Sequence, residues 1–185
     1  IPYYAIYFLL AFAAAFEVPD RFAHVKKDRN ISFLGLLFLI FCSFFIGSRL
    51  YVGADYNLYS LNFDNLGQDT FTDILFTLSR YVSHDVGYEV ISIVANEFNL
   101  GFPAVTLACG TLFAIGLTKF CFSLPRPWLA LAVAYPYLIV VVGMGYMRQG
   151  VALAFLMWAL PYLLERNRLK FMFLIFLGCL FHKTL

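Results

Sequence analysis

The fold is decided by residues 101–122, which read GFPAVTLACGTLFAIGLTKFCF and contain a single charged side chain, Lys119. At a rise of about 1.5 Å per residue, a helix of this length extends over about 33 Å, and the hydrocarbon core of a membrane is about 30 Å thick. Lipid offers the backbone no hydrogen-bonding partner, so a segment of this kind that crosses it must be helical. The stretch therefore predicts a transmembrane helix.

Five further apolar runs flank this stretch, and the composition of the chain agrees with them. Hydrophobic residues make up 62% of the 185 residues and charged residues 13%, against about half and about a quarter in soluble domains. The net charge of +2 argues against a nucleic-acid partner, which requires a strongly basic surface. We predict an all-α fold, a polytopic transmembrane helix bundle forming one domain over 1–185. Its spans, about six in number, are expected over 1–16, 31–48, 101–122, 128–145, 146–164 and 169–181.

The two ends of the sequence suggest a longer protein. The chain begins at Ile1 rather than at Met and stops at Leu185, directly after an apolar run. We therefore expect a fragment, with further spans following it on the C-terminal side.

The direction of the spans follows from the basic residues, because Lys and Arg in short loops favour the cytoplasmic side. Nine of the 13 basic residues lie in three short segments, 17–30, 119–127 and 165–170. These segments face the same side only if the ambiguous stretch 87–100 does not cross. We therefore predict interfacial or re-entrant helices over 71–82 and 87–98. Both belong to a long outer loop, 49–100, which carries seven of the 11 acidic residues.

Three titratable side chains lie at span ends on the predicted outer side: Arg49, Arg148 and His182. Arg148 falls inside a long apolar run, where a charge is costly unless it has a partner or a function. Arg49 also fits an interfacial anchor that reaches the lipid headgroups, and His182 fits a headgroup contact. The nearby tyrosines are compatible with an ordinary aromatic belt. Arg148 is therefore the strongest candidate for a function.

The polar residues around these three side chains occur in a recognisable order. RLYVGADYNLY at 49–59 is followed by GYE at 87–89, MRQ at 147–149 and FH at 181–182. This ordered set on apolar spans resembles the EpsG family, Wzy-like multispan proteins of bacterial exopolysaccharide and capsule clusters. The resemblance implies a membrane glycosyltransferase, a polymerase that moves a growing glycan from polyprenyl diphosphate to a lipid-linked repeat unit. It also implies a multi-pass protein whose reaction occurs on the outer face of the bacterial cytoplasmic (inner) membrane.

The resemblance further implies partners and site residues. The expected partners are the polyprenyl-diphosphate-linked oligosaccharide, the lipid bilayer, and a chain-length regulator and flippase of the same pathway. Arg148, helped by Arg49, is the candidate for the diphosphate, since guanidinium groups bind such anions well. Asp55 is the first candidate base and Glu89 the second, both as acceptors of the sugar hydroxyl's proton. The side chains expected to contact sugar or phosphate are Tyr56, Tyr59, Gln149 and His182.

No cofactor or metal is expected. Transfer from a diphosphate carrier uses no nucleotide, and the sequence contains no glycine-rich phosphate loop of either common type. The four cysteines fall inside apolar runs without the spacing of metal ligands.

Three other functions share parts of this pattern. A ligase would move finished polymer from the same carrier and would need the same outer arginines. A membrane acyltransferase that modifies the polymer would need a catalytic histidine in a transfer motif, which His24 in the basic loop fits poorly. A polysaccharide transporter or flippase tends to carry its polar groups at the bilayer midplane, whereas here the charges collect at the outer ends of the spans. The pattern favours an enzyme on the outer face.

Overall fold

The computed structural model describes residues 2–18, 32–49, 51–53, 55–66 and 85–182. In these ranges all regular secondary structure is helical, which confirms the all-α prediction. The helices are α1 (Pro2–Ala15), α2 (Phe33–Gly47), α3 (Tyr56–Leu66), α4 (Val86–Glu97), α5 (Phe102–Ser123), α6 (Pro127–Ala134) followed by a π-helical segment (Tyr135–Gly143), α7 (Met147–Leu164) and α8 (Arg168–Cys179).

Each predicted apolar run coincides with a helix, but the six predicted spans are not confirmed. By length and composition, α5 and α7 are long and apolar enough to cross a membrane. α1, α2 and the continuous helix Pro127–Gly143 are apolar but shorter than a full span, and α8 has 12 residues. The number of spans therefore stays a prediction.

The predicted outer loop is partly helical. The helix predicted over 87–98 is α4, whereas the one predicted over 71–82 and most of the 17–30 loop lie outside the described residues. The predicted apolar runs do not include α3, because polar residues alternate with apolar ones along it and only one face, Tyr56, Tyr59 and Phe63, is buried. This helix depends on burying one aromatic face against the bundle.

Small residues let the central helices approach closely, as is common among membrane helices. α2 packs against α5, α5 against α7 and α7 against α8, while α1 packs against α6. A Cβ on Gly110 of α5 would lie 2.9 Å from the backbone nitrogen of Gly47 in α2. The Thr106 hydroxyl joins the same two helices by donating to the Gly47 carbonyl at 2.7 Å. α5 is therefore the central helix, in contact with α2 on one side and α7 on the other.

A π-helical segment completes the helix that begins at Pro127. Pro136 lies in its first turn and has no N–H to donate to the helical hydrogen-bond ladder. A run of wider turns accommodates such an interruption without ending the helix, and π-turns of this kind are frequent at functional sites. The sequence predicts one span over 128–145, and the structure shows that Pro136 changes the turn within this helix rather than ending it.

One end of the bundle is covered by α3 and α4. Tyr56 and Phe63 of α3 pack against Phe102 at the start of α5, with ring centroids 5.2 and 5.9 Å apart. The backbone N–H of Gly87 in α4 donates to the Leu180 carbonyl at 2.7 Å, which joins α4 to the end of α8. We call this end, formed by α3, α4, the starts of α5 and α7 and the end of α8, the capped end.

Gly116 of α5 provides a test of the central packing. A Cβ at this position would overlap the carbonyl oxygen of Ala154 in α7. We expect Gly116→Ala to push the two helices apart and lower the free energy of unfolding by about 1–3 kcal/mol, the usual cost of overpacking. Unfolding of the full-length protein in mixed detergent micelles measures this change. Gly145→Ala is the control, because nothing lies within 4 Å of a Cβ there. Equal stability of the two variants would contradict the close α5–α7 contact.

Candidate functional site

Arg148, the second residue of α7, lies at the centre of the capped end. Its Nη1 is 2.9 Å from Oδ2 of Asp85, an ion pair that connects α7 to the start of α4. Its Nε donates a hydrogen bond to the Tyr59 hydroxyl at 2.7 Å. The guanidinium carbon lies 4.7 Å from the ring centre of Tyr59 and 5.9 Å from that of Tyr88. Because 29% of the side chain is exposed, the cation is held in place and still reachable from outside.

Asp85 is the carboxylate that connects three elements of the capped end. It occupies the N-cap position of α4, but its side chain makes no capping hydrogen bond. The side chain is only 8% exposed, and its Oδ2 also lies 3.6 Å from Nδ1 of His182, just after α8. That distance is too long for a hydrogen bond, so the contact with His182 is electrostatic. The ion pair with Arg148 compensates the cost of burying the carboxylate.

The sequence pattern does not single out Asp85. The outer segment contains seven carboxylates, and an Asp directly before a helix usually caps that helix. The sequence indicates a partner for Arg148 only indirectly, because a cation in an apolar run requires one. Nothing in the sequence says which carboxylate that partner is. Only the packing of α4 across the ends of α7 and α8 selects this one.

Polar contacts continue from Arg148 to Asp55. The Tyr59 hydroxyl accepts the hydrogen bond from Arg148 and donates one to Oδ2 of Asp55 at 3.5 Å. Burial raises the pKa of Tyr59, so its hydroxyl keeps the proton that it donates. Burial raises the pKa of Tyr88 as well. Four predicted site residues are therefore connected through Asp85 into one chain of contacts: Asp55, Tyr59, Arg148 and His182.

Arg49 lies near this chain, but its contacts are with the backbone. Its side chain is buried, and Nη1 donates to the carbonyl oxygens of Gly143 at 3.0 Å and of Met144. Burial lowers the pKa of its guanidinium. Gly53, at a φ of +110°, passes over the same turn, where a Cβ would overlap the Met144 oxygen. The geometry favours a role for Arg49 in holding the turn before α7, and its contact with substrate stays a prediction.

The other predicted residues lie around these contacts. Tyr56 is buried against Phe102, and Glu89 lies partly buried in the first turn of α4. Gln149 and His182 share a pocket of about 310 Å³, which we call the His182 pocket. Its other lining residues are Tyr137, Val142, Tyr146, Ala152, Leu153 and Leu156. The structure thus places all eight predicted site residues at the capped end, and their roles stay predictions.

The chemistry available at the capped end is that of ordinary side chains. Within the described ranges, no group of three His, Cys, Asp or Glu side chains could hold a metal. Cys42, Cys109 and Cys121 are buried and Cys179 is exposed, all as free thiols. A fixed guanidinium beside two adjacent aromatic rings suits an anionic oxygen, and the adjoining carboxylates, imidazole and tyrosines suit polar hydroxyl groups.

The ion pair between Asp85 and Arg148 can be measured by a double-mutant cycle. We expect Asp85→Asn and Arg148→Gln each to destabilise the protein, and the two together to cost less than their sum. Residues in direct contact typically show such coupling, here about 1–3 kcal/mol. The free energy of unfolding in mixed micelles is the readout.

A second cycle, which pairs Asp85→Asn with Arg168→Gln, is the matched control. Arg168 is exposed at the start of α8, at the opposite end of that helix from His182. Its substitution should add to that of Asp85→Asn without coupling, because distant sites are independent. The same coupling in both cycles, or none in either, would contradict the ion pair.

Comparison with known proteins identifies a family. No curated protein and no solved structure gives a significant match to the chain. The model of the EpsG family matches residues 32–185, a range that includes every helix from α2 onward and all of the residues described at the capped end. The family and the two long apolar helices together indicate a membrane protein. The chain therefore belongs to the EpsG family, as the order of its polar residues predicts.

Proposed function

We propose that the protein is a polysaccharide polymerase on the outer face of the bacterial cytoplasmic membrane. It transfers a growing glycan from polyprenyl diphosphate to a lipid-linked repeat unit, and it works beside a flippase and a chain-length regulator of the same pathway. The observation that carries the proposal is the setting of Arg148. This guanidinium is partly exposed and fixed by Asp85 and Tyr59, at the start of a helix long enough to span a membrane. Membership of the EpsG family supports a role in exopolysaccharide synthesis.

The proposal includes a multi-pass topology with six spans in one transmembrane domain over 1–185. The connection between α5 and α6 and the connection between α7 and α8 lie opposite the capped end, since these helices follow one another in the bundle. Basic residues concentrate in and beside these two connections: Arg126, Arg166, Arg168 and Lys170. Because basic loops favour the cytoplasm, the capped end faces outward. α1, α2, the helix Pro127–Gly143 and α8 are the further spans of the proposal.

Arg148 binds the diphosphate leaving group in the proposed reaction. Tyr59 and Asp85 hold Nε and Nη1 and so set the plane of the guanidinium. Nη2 makes no hydrogen bond with the part of the chain that the structure describes, and we assign it to a phosphate oxygen of the donor. Negative charge grows on the diphosphate as its bond to the sugar breaks, so this contact is stronger in the transition state than in the bound substrate.

The acceptor half of the reaction needs a base. The acceptor hydroxyl oxygen bonds to the anomeric carbon, the bond from that carbon to the diphosphate oxygen breaks, and its electron pair leaves with polyprenyl diphosphate. The hydroxyl proton passes to a protein side chain. Asp55 and Glu89 are the carboxylates that the sequence predicts for this step. Tyr56, Tyr59 and Gln149 are proposed to contact the sugars, and no cofactor takes part.

Deletion of the full-length gene tests the function directly. We expect the polymer ladder on a gel to disappear, with single lipid-linked repeat units accumulating on the outer leaflet, because the units are exported but not joined. Units trapped on the inner leaflet would instead identify a flippase. A normal ladder that stays on the polyprenyl carrier, with no polymer on the final acceptor, would identify a ligase, and a ladder lacking a substituent would identify an acyltransferase.

Replacement of Arg148 tests the proposed diphosphate contact. Arg148→Lys keeps the charge but removes the planar set of donors, so it cannot contact Asp85, Tyr59 and a phosphate together. We expect polymer length in the complemented deletion strain to fall sharply with Arg148→Lys and the ladder to be lost with Arg148→Gln. Arg168→Gln should restore the normal ladder, since it removes one cation far from the capped end. A full-length ladder from Arg148→Lys would refute the role of the guanidinium.

A further inference from the structure

His182 presents two different environments to its two ring nitrogens. Nδ1 is buried, makes no hydrogen bond within the described residues and lies 3.6 Å from Oδ2 of Asp85. The side chain as a whole is nevertheless 32% exposed and lines the His182 pocket beside Gln149 and Tyr146. The exposed edge therefore belongs to the rest of the ring, which includes Nε2. One nitrogen faces a carboxylate and the other edge faces a pocket.

A carboxylate on one side of an imidazole determines which nitrogen carries the proton. Asp85 favours the proton on Nδ1, because an N–H at that position is attracted to the carboxylate oxygen. The neutral ring then has its lone pair on Nε2, and the side chain that carries it lines the His182 pocket. The separation of 3.6 Å is longer than a hydrogen bond, as is common in catalytic groups before substrate binds.

The His182 pocket has room for one sugar ring, and its lining combines a few polar side chains with an apolar wall. Its volume of about 310 Å³ lies at the lower limit of ordinary ligand pockets, which start at about 300 Å³. Gln149 and Tyr146 bring an amide and a phenol to its rim, and the remaining lining is aromatic or aliphatic. Neither Asp55 nor Glu89 lines it. Asp55 instead accepts a hydrogen bond from Tyr59.

We propose that His182, oriented by Asp85, is the general base for the acceptor sugar bound in the His182 pocket. This inference rests on the proposed function and assigns the proton-accepting step within it. Nε2 takes the proton of the acceptor hydroxyl while that oxygen bonds to the anomeric carbon and the electron pair of the broken bond leaves on polyprenyl diphosphate. His182 is then a catalytic residue, and Asp85 is a positioning residue that serves both His182 and Arg148.

Chemical rescue with imidazole tests the base. The substrate is the lipid-linked repeat unit extracted from the deletion strain, and the readout is the initial rate of ladder formation by the purified full-length protein. We expect His182→Gly to lower the rate by about 10²–10⁴-fold, the usual contribution of general-base catalysis. Added imidazole should fill the vacated space and restore the rate at least about tenfold, because it supplies the missing base. His24→Gly, in the basic loop of the sequence, should keep the normal rate and not respond to imidazole.

Asp85 is tested in the same assay. We expect Asp85→Asn to lower the rate of ladder formation more in the protein that keeps His182 than in the His182→Gly variant rescued with imidazole. The reason is that free imidazole does not need to be oriented. An equal loss of rate in the two proteins would mean that Asp85 acts on Arg148 alone, and it would overturn its role in orienting His182. His182→Gln fills the space without accepting a proton, so this variant should be inactive and imidazole should not restore its activity. It replaces the glycine variant in the test if that variant does not fold.

The outcomes separate this inference from the proposed function. If wild-type protein does not elongate the lipid-linked units, the proposed function itself fails. If it elongates them and either His182 variant keeps the normal rate, the inference is overturned and the polymerase stands. If the folded His182→Gly protein is inactive and imidazole restores nothing, the base lies elsewhere, and Asp55→Asn and Glu89→Gln are the variants that would then abolish the rate.

Discussion

The ion pair between Asp85 and Arg148 is the interaction on which the capped end depends. Arg148 begins an otherwise apolar helix, and a charge in that position requires a partner. Asp85 supplies it from the start of α4 at 2.9 Å, with its own side chain almost fully buried. Each charge therefore offsets the free-energy cost of burying the other. The pair fixes α4 across the bundle, and through His182 the same carboxylate extends this connection to the end of α8.

The rest of the structure keeps this pair in position. Gly47, Gly110 and Gly116 allow α2, α5 and α7 to approach one another, so the start of α7 has a defined place. Arg49 holds the turn before α7 through the Gly143 carbonyl, where the π-helical segment ends. A site whose side chains are braced by packed helices holds its geometry better than one on free loops. The long apolar helices thus act as a rigid support for a small polar cluster at one end.

The arrangement also suggests why one carboxylate contacts two different groups. In the proposed reaction Arg148 faces the donor's diphosphate and His182 faces the acceptor's hydroxyl, and Oδ2 of Asp85 lies between them. Asp85 thereby connects the group that faces the donor to the group that faces the acceptor. The aromatic rings of Tyr59 and Tyr88 lie beside the guanidinium and add cation–π attraction to its contacts.

The sequence by itself determined the helical class, the positions of the apolar helices and the family, because apolar length and the order of a few polar residues are local properties of a chain. It also led to Arg148, since a lone cation in an apolar run is conspicuous. It did not lead to α3, whose apolar residues are interspersed with polar ones, nor to Asp85 among seven outer carboxylates. Nor did it show that Arg49 contacts backbone carbonyls. Tertiary structure alone decided these points, because the partner of a charge is set by which helix ends meet in space. At the capped end that depends on contacts between residues up to 97 positions apart.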